Sequence, residues 1–208
     1  SSGEETWQHL HRRDDPFYAA LGPRCWHIGP ARDDNMLAGI DFRRVSRIED
    51  ADFILNTGPG EIEDTLETFE PVLEVARARH LPMICANPDL VVMHEGQRMI
   101  CAGLIAERYE ALGGRVRWHG KPFPSVYGEA FALLNLGRYP RILAVGDSLR
   151  TDIAGANGVG IAGLLVAGGI HGEEFGLSTG GVPDPKLVAE AVAASGEIPT
   201  AVISHFVW

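Results

Sequence analysis

The chain predicts an α/β fold built on a parallel sheet, and three features of its 208 residues carry that prediction. Short apolar runs of strand length alternate with helical patterns, the spacing that parallel strands with crossover connections require. Twenty-five glycines and thirteen prolines supply the tight connections such folds use. One apolar run, Arg141 to Val145, enters Gly146-Asp147-Ser148, and ligands bind at the carboxyl ends of strands in parallel sheets.

In chain order, Ser1 to Leu10 reads as a loop entering a helix, with Ser2 as cap and Glu5 as its capping-box partner. Cys25 to Gly29 and Ala51 to Thr57 are strands, each stopped by glycine. Glu61 to His80 places Ile62, Leu66, Phe69, Leu73 and Ala76 at helical spacing around Pro71, which kinks the helix or starts a new one. Leu81 to Ala86 is a buried strand closed by Asn87-Pro88-Asp89, and Ala102 to Leu112 is a helix stopped by Gly113-Gly114. Arg115 to Trp118 is a short strand, Gly120-Lys121-Pro122 a loop, and Ser125 to Leu136 a helix. A buried strand at 141–145, a helix from about Thr151 and a strand at Ala162 to Val166 follow. A helix at Pro185 to Ala194 and a β-rich end at Val202 to Trp208 close the chain. Changes of pattern near Pro23 and Trp118 suggest three segments, 1–22, 23–117 and 118–208.

Composition narrows the function. The net charge of -10, with no basic patch, argues against a nucleic-acid partner. No apolar run approaches the roughly 20 residues a membrane helix needs. The cysteines Cys25, Cys85 and Cys101 are odd in number and widely spaced, which fits neither disulfides nor a zinc knuckle and suggests a reducing cytoplasm. An acidic protein that takes an anionic ligand needs local positive charge, and only two lysines, Lys121 and Lys186, stand among eighteen basic residues.

The strongest chemical signal is Arg141 to Ala156 (RILAVGDSLRTDIAGA). Asp147 would project from a strand terminus, and Asp152 would lie in the first turn of the next helix, close enough to share a hard cation or orient its waters. The plain alternative makes Asp147 a turn residue and Asp152 a complement to the helix dipole. Lys121, ahead of a helix-starting proline, can hold a phosphate as a point charge or can be a solvated loop lysine. Gly146-Asp147-Ser148-Leu149 also spells the signature of a serine esterase family, with Ser148 as nucleophile and His171 or His205 as base, but it lies late in the chain with no DxxH after it. A dinucleotide cradle is excluded because Gly155, Gly158 and Gly160 do not lie between a strand and a helix.

The order of Lys121, a helix, the GDSLRTD strand and a further apolar strand resembles the third and fourth motifs of the haloacid dehalogenase superfamily. TWQHL, ADFILNTG, PMICANPDLVV, CAGLIAERYEALGG and RVRWHGKPFPSVY resemble its phosphatase-like subfamily IIA, which carries a C2-type cap. The resemblance implies a Rossmann-like core at 1–22 and 118–208 with a parallel sheet, and an inserted α/β cap at 23–117. It implies Lys121 and Asp147 as catalytic groups and Asp147 and Asp152 as the Mg²⁺ site. Lys121, Asn87, Asp89 and Ser148 would be substrate contacts, Asn87 and Asp89 from a cap loop. The implied activity is hydrolysis of a small phosphomonoester, a sugar phosphate or nucleotide, through an aspartyl-phosphate. The chain departs from the family in one respect. No DxD of the nucleophile kind precedes residue 23, and Asp14-Asp15 and Asp33-Asp34 are adjacent pairs in polar contexts. The first core strands, with that motif, are therefore expected upstream of Ser1. Other expectations are an inactive phosphate-binding protein on the same fold, a homodimer through the cap sheet, and packing roles for Trp7, Trp26, Trp118 and Trp208.

Overall fold

The computed structural model describes residues 1–13, 15–94, 97–136, 141–177 and 181–207, so Asp14 and Trp208 lie outside the described residues. The residues form two compact units, Ser1–Gly120 and Lys121–Trp208. Among the described residues the division between them falls after Gly120.

The first unit opens with α1 (Ser2–Arg12) and α2 (Pro16–Ala19). Its cap differs from expectation. Ser1, not Ser2, accepts the Glu4 N–H at 3.2 Å, and Glu5 is turned inward rather than serving a capping box. Strands β1 (Arg24–Ile28), β2 (Arg43–Arg44), β3 (Phe53–Asn56), β4 (Pro82–Cys85) and β7 (Arg115–Trp118) form an all-parallel sheet in the order β2-β1-β3-β4-β7. Helices α3 (Leu66–Ala78) and α4 (Ala102–Ala111) make the crossovers, and β5 (Val91–His94) with β6 (Gln97–Ile100) adds an antiparallel hairpin the apolar pattern did not reveal. Helix α3 starts five residues later than the spacing of Ile62 implied, because Asp64 folds back to accept the Gly60 and Glu61 N–H groups at 3.1 and 2.9 Å. Pro71 lies inside α3.

Side-chain alternation along β3 explains why all four of its residues are buried. Ile54 joins Met83, Cys85, Leu73 and Ile105 on one face of the sheet. Phe53 and Leu55 join Leu10, Tyr18, Cys25 and Ile84 on the other. Fully burying a side chain of this size contributes about 1.5–3 kcal/mol relative to leaving it in water, so a strand sandwiched this way is the unit's main anchor.

The second unit holds α5 (Pro124–Leu133), β8 (Leu143–Gly146), a π-helical turn at Leu149–Ile153, α6 (Ala154–Gly158), β9 (Ala162–Val166), α7 (Pro185–Ser195) and β10 (Ala201–Ile203). Its sheet is parallel in the order β10-β9-β8. The expected helix start at Thr151 is the wider π turn, and α6 follows at Ala154. The β-rich end is confined to three residues of β10. One expectation is overturned. The strand before Gly146 is not buried: Leu143 is 51% and Val145 41% exposed. The reason is position, since β8 is the sheet's edge and pairs with β9 alone among the described residues.

Candidate active site

Within the second unit, β8 ends at Gly146 and delivers Asp147 and Ser148 to one point. The turn that follows brings Asp152 back over that strand end. Its Oδ2 accepts the backbone N–H of Asp147 at 3.2 Å and of Ser148 at 3.1 Å. Its Oδ1 accepts from the Lys121 ammonium. Asp152 is 8% exposed, whereas the Lys121 side chain is 52% exposed, so a buried carboxylate orients a cation that still faces solvent. The geometry needs Gly146, because a Cβ there would sit 2.1 Å from the Asp152 carboxyl carbon.

Asp147 is held differently. Its Oδ2 accepts the Ile170 N–H at 3.0 Å, and Gly169 is required beside it, where a Cβ would come within 2.1 Å of that oxygen. Ser148 caps the π turn, its hydroxyl accepting the Thr151 N–H at 3.2 Å. The Leu149 N–H donates to His171 Nε2 at 3.4 Å, and His171 Nδ1 meets Glu174 at 2.6 Å. Both imidazole nitrogens are thus engaged away from the Ser148 hydroxyl, which removes the base that the esterase reading assigned to His171.

Three contributors escaped the sequence analysis. Gly169 and Ile170 follow β9, and a glycine pair after an apolar strand was the available signal. Tyr127 on α5 was hidden in an unremarkable helix. Its hydroxyl is buried, has no hydrogen-bond partner among the described residues, and packs where a Cβ on Gly155 would come within 2.2 Å. Burial, aided by the charge of Asp152, pushes its phenol up from the ordinary value.

Comparison with known proteins places this arrangement. A family described as HAD-hydrolase-like matches residues 118–195, the span that holds Lys121, Asp147 and Asp152. The D-glycerol 3-phosphate phosphatase of Mycobacterium tuberculosis is 32% identical over 153 residues, which is 73% of this chain and 42% of that protein. The chain belongs to the haloacid dehalogenase superfamily. A haloacid dehalogenase-like hydrolase from Brucella suis is 29% identical, with a TM-score of 0.78 over 99% of this chain and 71% of its own. Glycerol phosphate phosphatase from M. tuberculosis, solved in complex with magnesium, is 27% identical with a TM-score of 0.59 over 79% and 47% of the two chains. The chain spans less than half the length of the mycobacterial phosphatase.

In this haloacid dehalogenase chain the remaining predicted contacts lie in the first unit. Asn87 Oδ1 accepts the Asp89 N–H at 3.1 Å, a turn that shapes the loop after β4. Gly103 at the start of α4 is packed against that loop, where a Cβ would fall 2.4 Å from the Pro88 carbonyl oxygen. Asp50-Ala51-Asp52 spells an aspartate pair, yet Asp52 is occupied structurally, accepting from the Arg24 N–H at 2.9 Å and the Arg24 guanidinium at 2.6 Å. Cys101 is buried, in keeping with a packing role, and burial pushes its thiol up to about 11.

Proposed function

We propose that the protein carrying this chain hydrolyses small phosphomonoesters with Mg²⁺, using Lys121, Asp147 and Asp152 at the mouth of the second unit's sheet. The observation that supports this most directly is the Lys121–Asp152 pair clasped onto the backbone of Asp147 and Ser148. A half-exposed ammonium with a fixed carboxylate behind it can hold a phosphoryl oxygen without collapsing into the core. At an effective dielectric of 20, a unit pair about 4 Å apart is worth on the order of 4 kcal/mol, enough to localise an anion on a protein of net charge -10.

The donor set fits a hard cation. Asp147 accepts one backbone bond on Oδ2, leaving Oδ1 to meet a cation, whereas both Asp152 oxygens already accept hydrogen bonds. Asp147 is therefore the direct ligand in this reading, and Asp152 orients Lys121 and the ion's water shell. Bound Mg²⁺ would supply neutralisation of phosphate charge, a role suited to oxygen donors with retained water. The Ser148 oxygen accepts the Thr151 N–H and its backbone N–H serves Asp152, which leaves its hydroxyl proton to donate to a phosphoryl oxygen.

The nucleophilic aspartate of this reading lies on a strand upstream of residue 1. The outer edge of β8, with Leu143 and Val145 exposed, is where that strand would pair. Its aspartate would attack phosphorus as the ester P–O bond breaks and the protonated alcohol leaves, and water would then hydrolyse the aspartyl-phosphate to inorganic phosphate. Residues 23–117 act as the C2-type cap, and the Asn87–Asp89 loop reads the leaving group. Glycerol phosphate is the first substrate to try, given what the mycobacterial relative is named for. Three buried free thiols suit a reducing cytoplasm, and no helix among the described residues is long and apolar enough to cross a membrane.

The test is phosphate release by the full-length protein with and without Mg²⁺. Lys121→Ala should lower kcat/KM roughly a hundredfold or more. The 208-residue chain alone should release no phosphate. Activity within twofold of wild type in the lysine variant, or turnover by the isolated chain, would defeat the proposal.

A further inference from the structure

A second polar cluster lies buried in the first unit, and the proposed chemistry does not use it. Glu5 and His119 are each 1% exposed, and Tyr18 is equally buried. Glu5 Oε1 meets His119 Nδ1 at 2.8 Å, and the Tyr18 hydroxyl meets His119 Nε2. His9, four residues after Glu5 on the same face of α1, stacks on Tyr18 with ring centroids 5.4 Å apart. The other Glu5 oxygen, Oε2, accepts the Gly120 N–H at 2.8 Å. Gly120 has φ +92°, and a Cβ there would meet Pro88 and Ser2 at 2.8 Å. The residue before Lys121 is thus held in a conformation that glycine alone adopts readily, with its N–H locked by a buried carboxylate.

A buried carboxylate is costly unless every lone pair finds a donor, so such a network persists where it specifies one geometry. In the tautomer with its proton on Nδ1, His119 donates to Glu5 and accepts from Tyr18. Burial keeps the Tyr18 phenol protonated far above neutrality; the charges of Glu5 and Asp15 add to this, and Arg117 opposes it. Tyr18 donates to His119 and His119 to Glu5, and the second oxygen of Glu5 accepts the N–H of Gly120, the residue before Lys121.

We propose that Glu5, His119 and Tyr18 are positioning residues for Lys121: their buried relay fixes the Gly120 peptide and so aims the ammonium at its phosphoryl site. This inference rests on the assignment of Lys121 to phosphate binding. It explains why Glu5 abandons the capping box its spacing allows, and why His119 lies inside the fold rather than against substrate.

The experiment is a double-mutant cycle in the full-length protein, reading Mg²⁺-dependent p-nitrophenyl phosphate hydrolysis and the dissociation constant of inorganic phosphate by titration calorimetry. Glu5→Ala should weaken phosphate binding and lower kcat/KM by roughly tenfold or more, since small misplacement of a catalytic group is costly. Glu5→Gln, which can still accept from Gly120, should recover most of the loss. Tyr18→Phe, the mildest change, should give a fall of a few fold in the same direction with the melting temperature nearly kept. In a Lys121→Arg background each substitution should add little, because its effect is transmitted through the lysine. Equal losses in both backgrounds would overturn the relay and leave a purely structural cluster. Glu5, His9 and His119 also present ligand atoms within 4.8 Å of one another. Stoichiometric zinc in the purified protein, lost in Glu5→Gln, would overturn the relay in favour of a metal site. A Lys121→Ala variant that keeps activity within twofold of wild type would instead sink the phosphatase assignment, which keeps the two failures distinct.

Discussion

The two sheets are both parallel, yet they treat their strands in opposite ways. In the first unit β3 is an inner strand between β1 and β4, and Phe53, Ile54 and Leu55 are fully buried against helices and loops on both faces. In the second unit β8 has a similar apolar sequence but stands at the edge, and Leu143 and Val145 remain open. Apolar strands of similar composition thus do different jobs according to their neighbours. One is an anchor, and the other is an exposed platform that ends in the carboxylate loop.

Truncation should separate the two most sharply. Leu55→Ala is expected to destabilise the first unit by about 2–5 kcal/mol, the usual cost of emptying a closed core. Leu143→Ala in the 208-residue chain should change stability by about 0.5 kcal/mol or less, as for a surface position. Denaturant unfolding monitored by circular dichroism distinguishes them, and equal losses would erase the contrast.

The platform tolerates little change at its tip. Gly146→Ala should displace Asp152 from the Asp147 and Ser148 N–H groups, costing about 1–3 kcal/mol and weakening phosphate binding in calorimetry. Gly128→Ala, inside α5 with open space around its Cβ, is the control and should stabilise the chain by about 0.5–1 kcal/mol.

The closed core predicts silent thiols. Burial pushes Cys25 and Cys85 up to about 12 and Cys101 up to about 11. A disulfide reagent at pH 7.5 should label none of the three in the native chain and all of them in denaturant; fast labelling of Cys25 or Cys85 would mean that the sheet opens.

The smallest effect concerns His27, at the end of β1. Burial, and then the charge of Arg44, depress its pKa, with Asp34 opposing. The unfolded chain therefore takes up the proton first. His27's contribution is whole above its unfolded value of about 6.5 and is lost as pH falls toward the depressed folded value. Melting temperatures between pH 7.5 and 5 should fall less in His27→Gln than in the parent.

Much of this was legible in one dimension. Apolar runs alternating with helical spacing announced parallel strands, and β3, β4, β7 and β9 fall within or on their expected spans, because a strand's pattern is local. The sequence singled out Lys121, Asp147 and Asp152 by charge and position, and the structure brings Lys121 onto the Asp152 carboxylate and that carboxylate onto the Asp147 N–H. Three things were not legible. Edge and centre cannot be told apart within one strand, so the apolar run that ends at Val145 predicts burial that β8 lacks. Partners separated by a hundred residues or more, such as Glu5 with His119, have no local signature, and Glu5 read instead as half of a capping box. The N–H groups that hold Asp147 and Asp152 come from backbone, which any residue supplies, so only the path of the chain after β9 and around the π turn could reveal them. Sequence periodicity determined which segments become strands and helices, because it is a property of near neighbours. The tertiary structure alone decided which carboxylates are clasped, which thiols are silent and which strand edge stays open, because those follow from residues that meet only once the chain has folded.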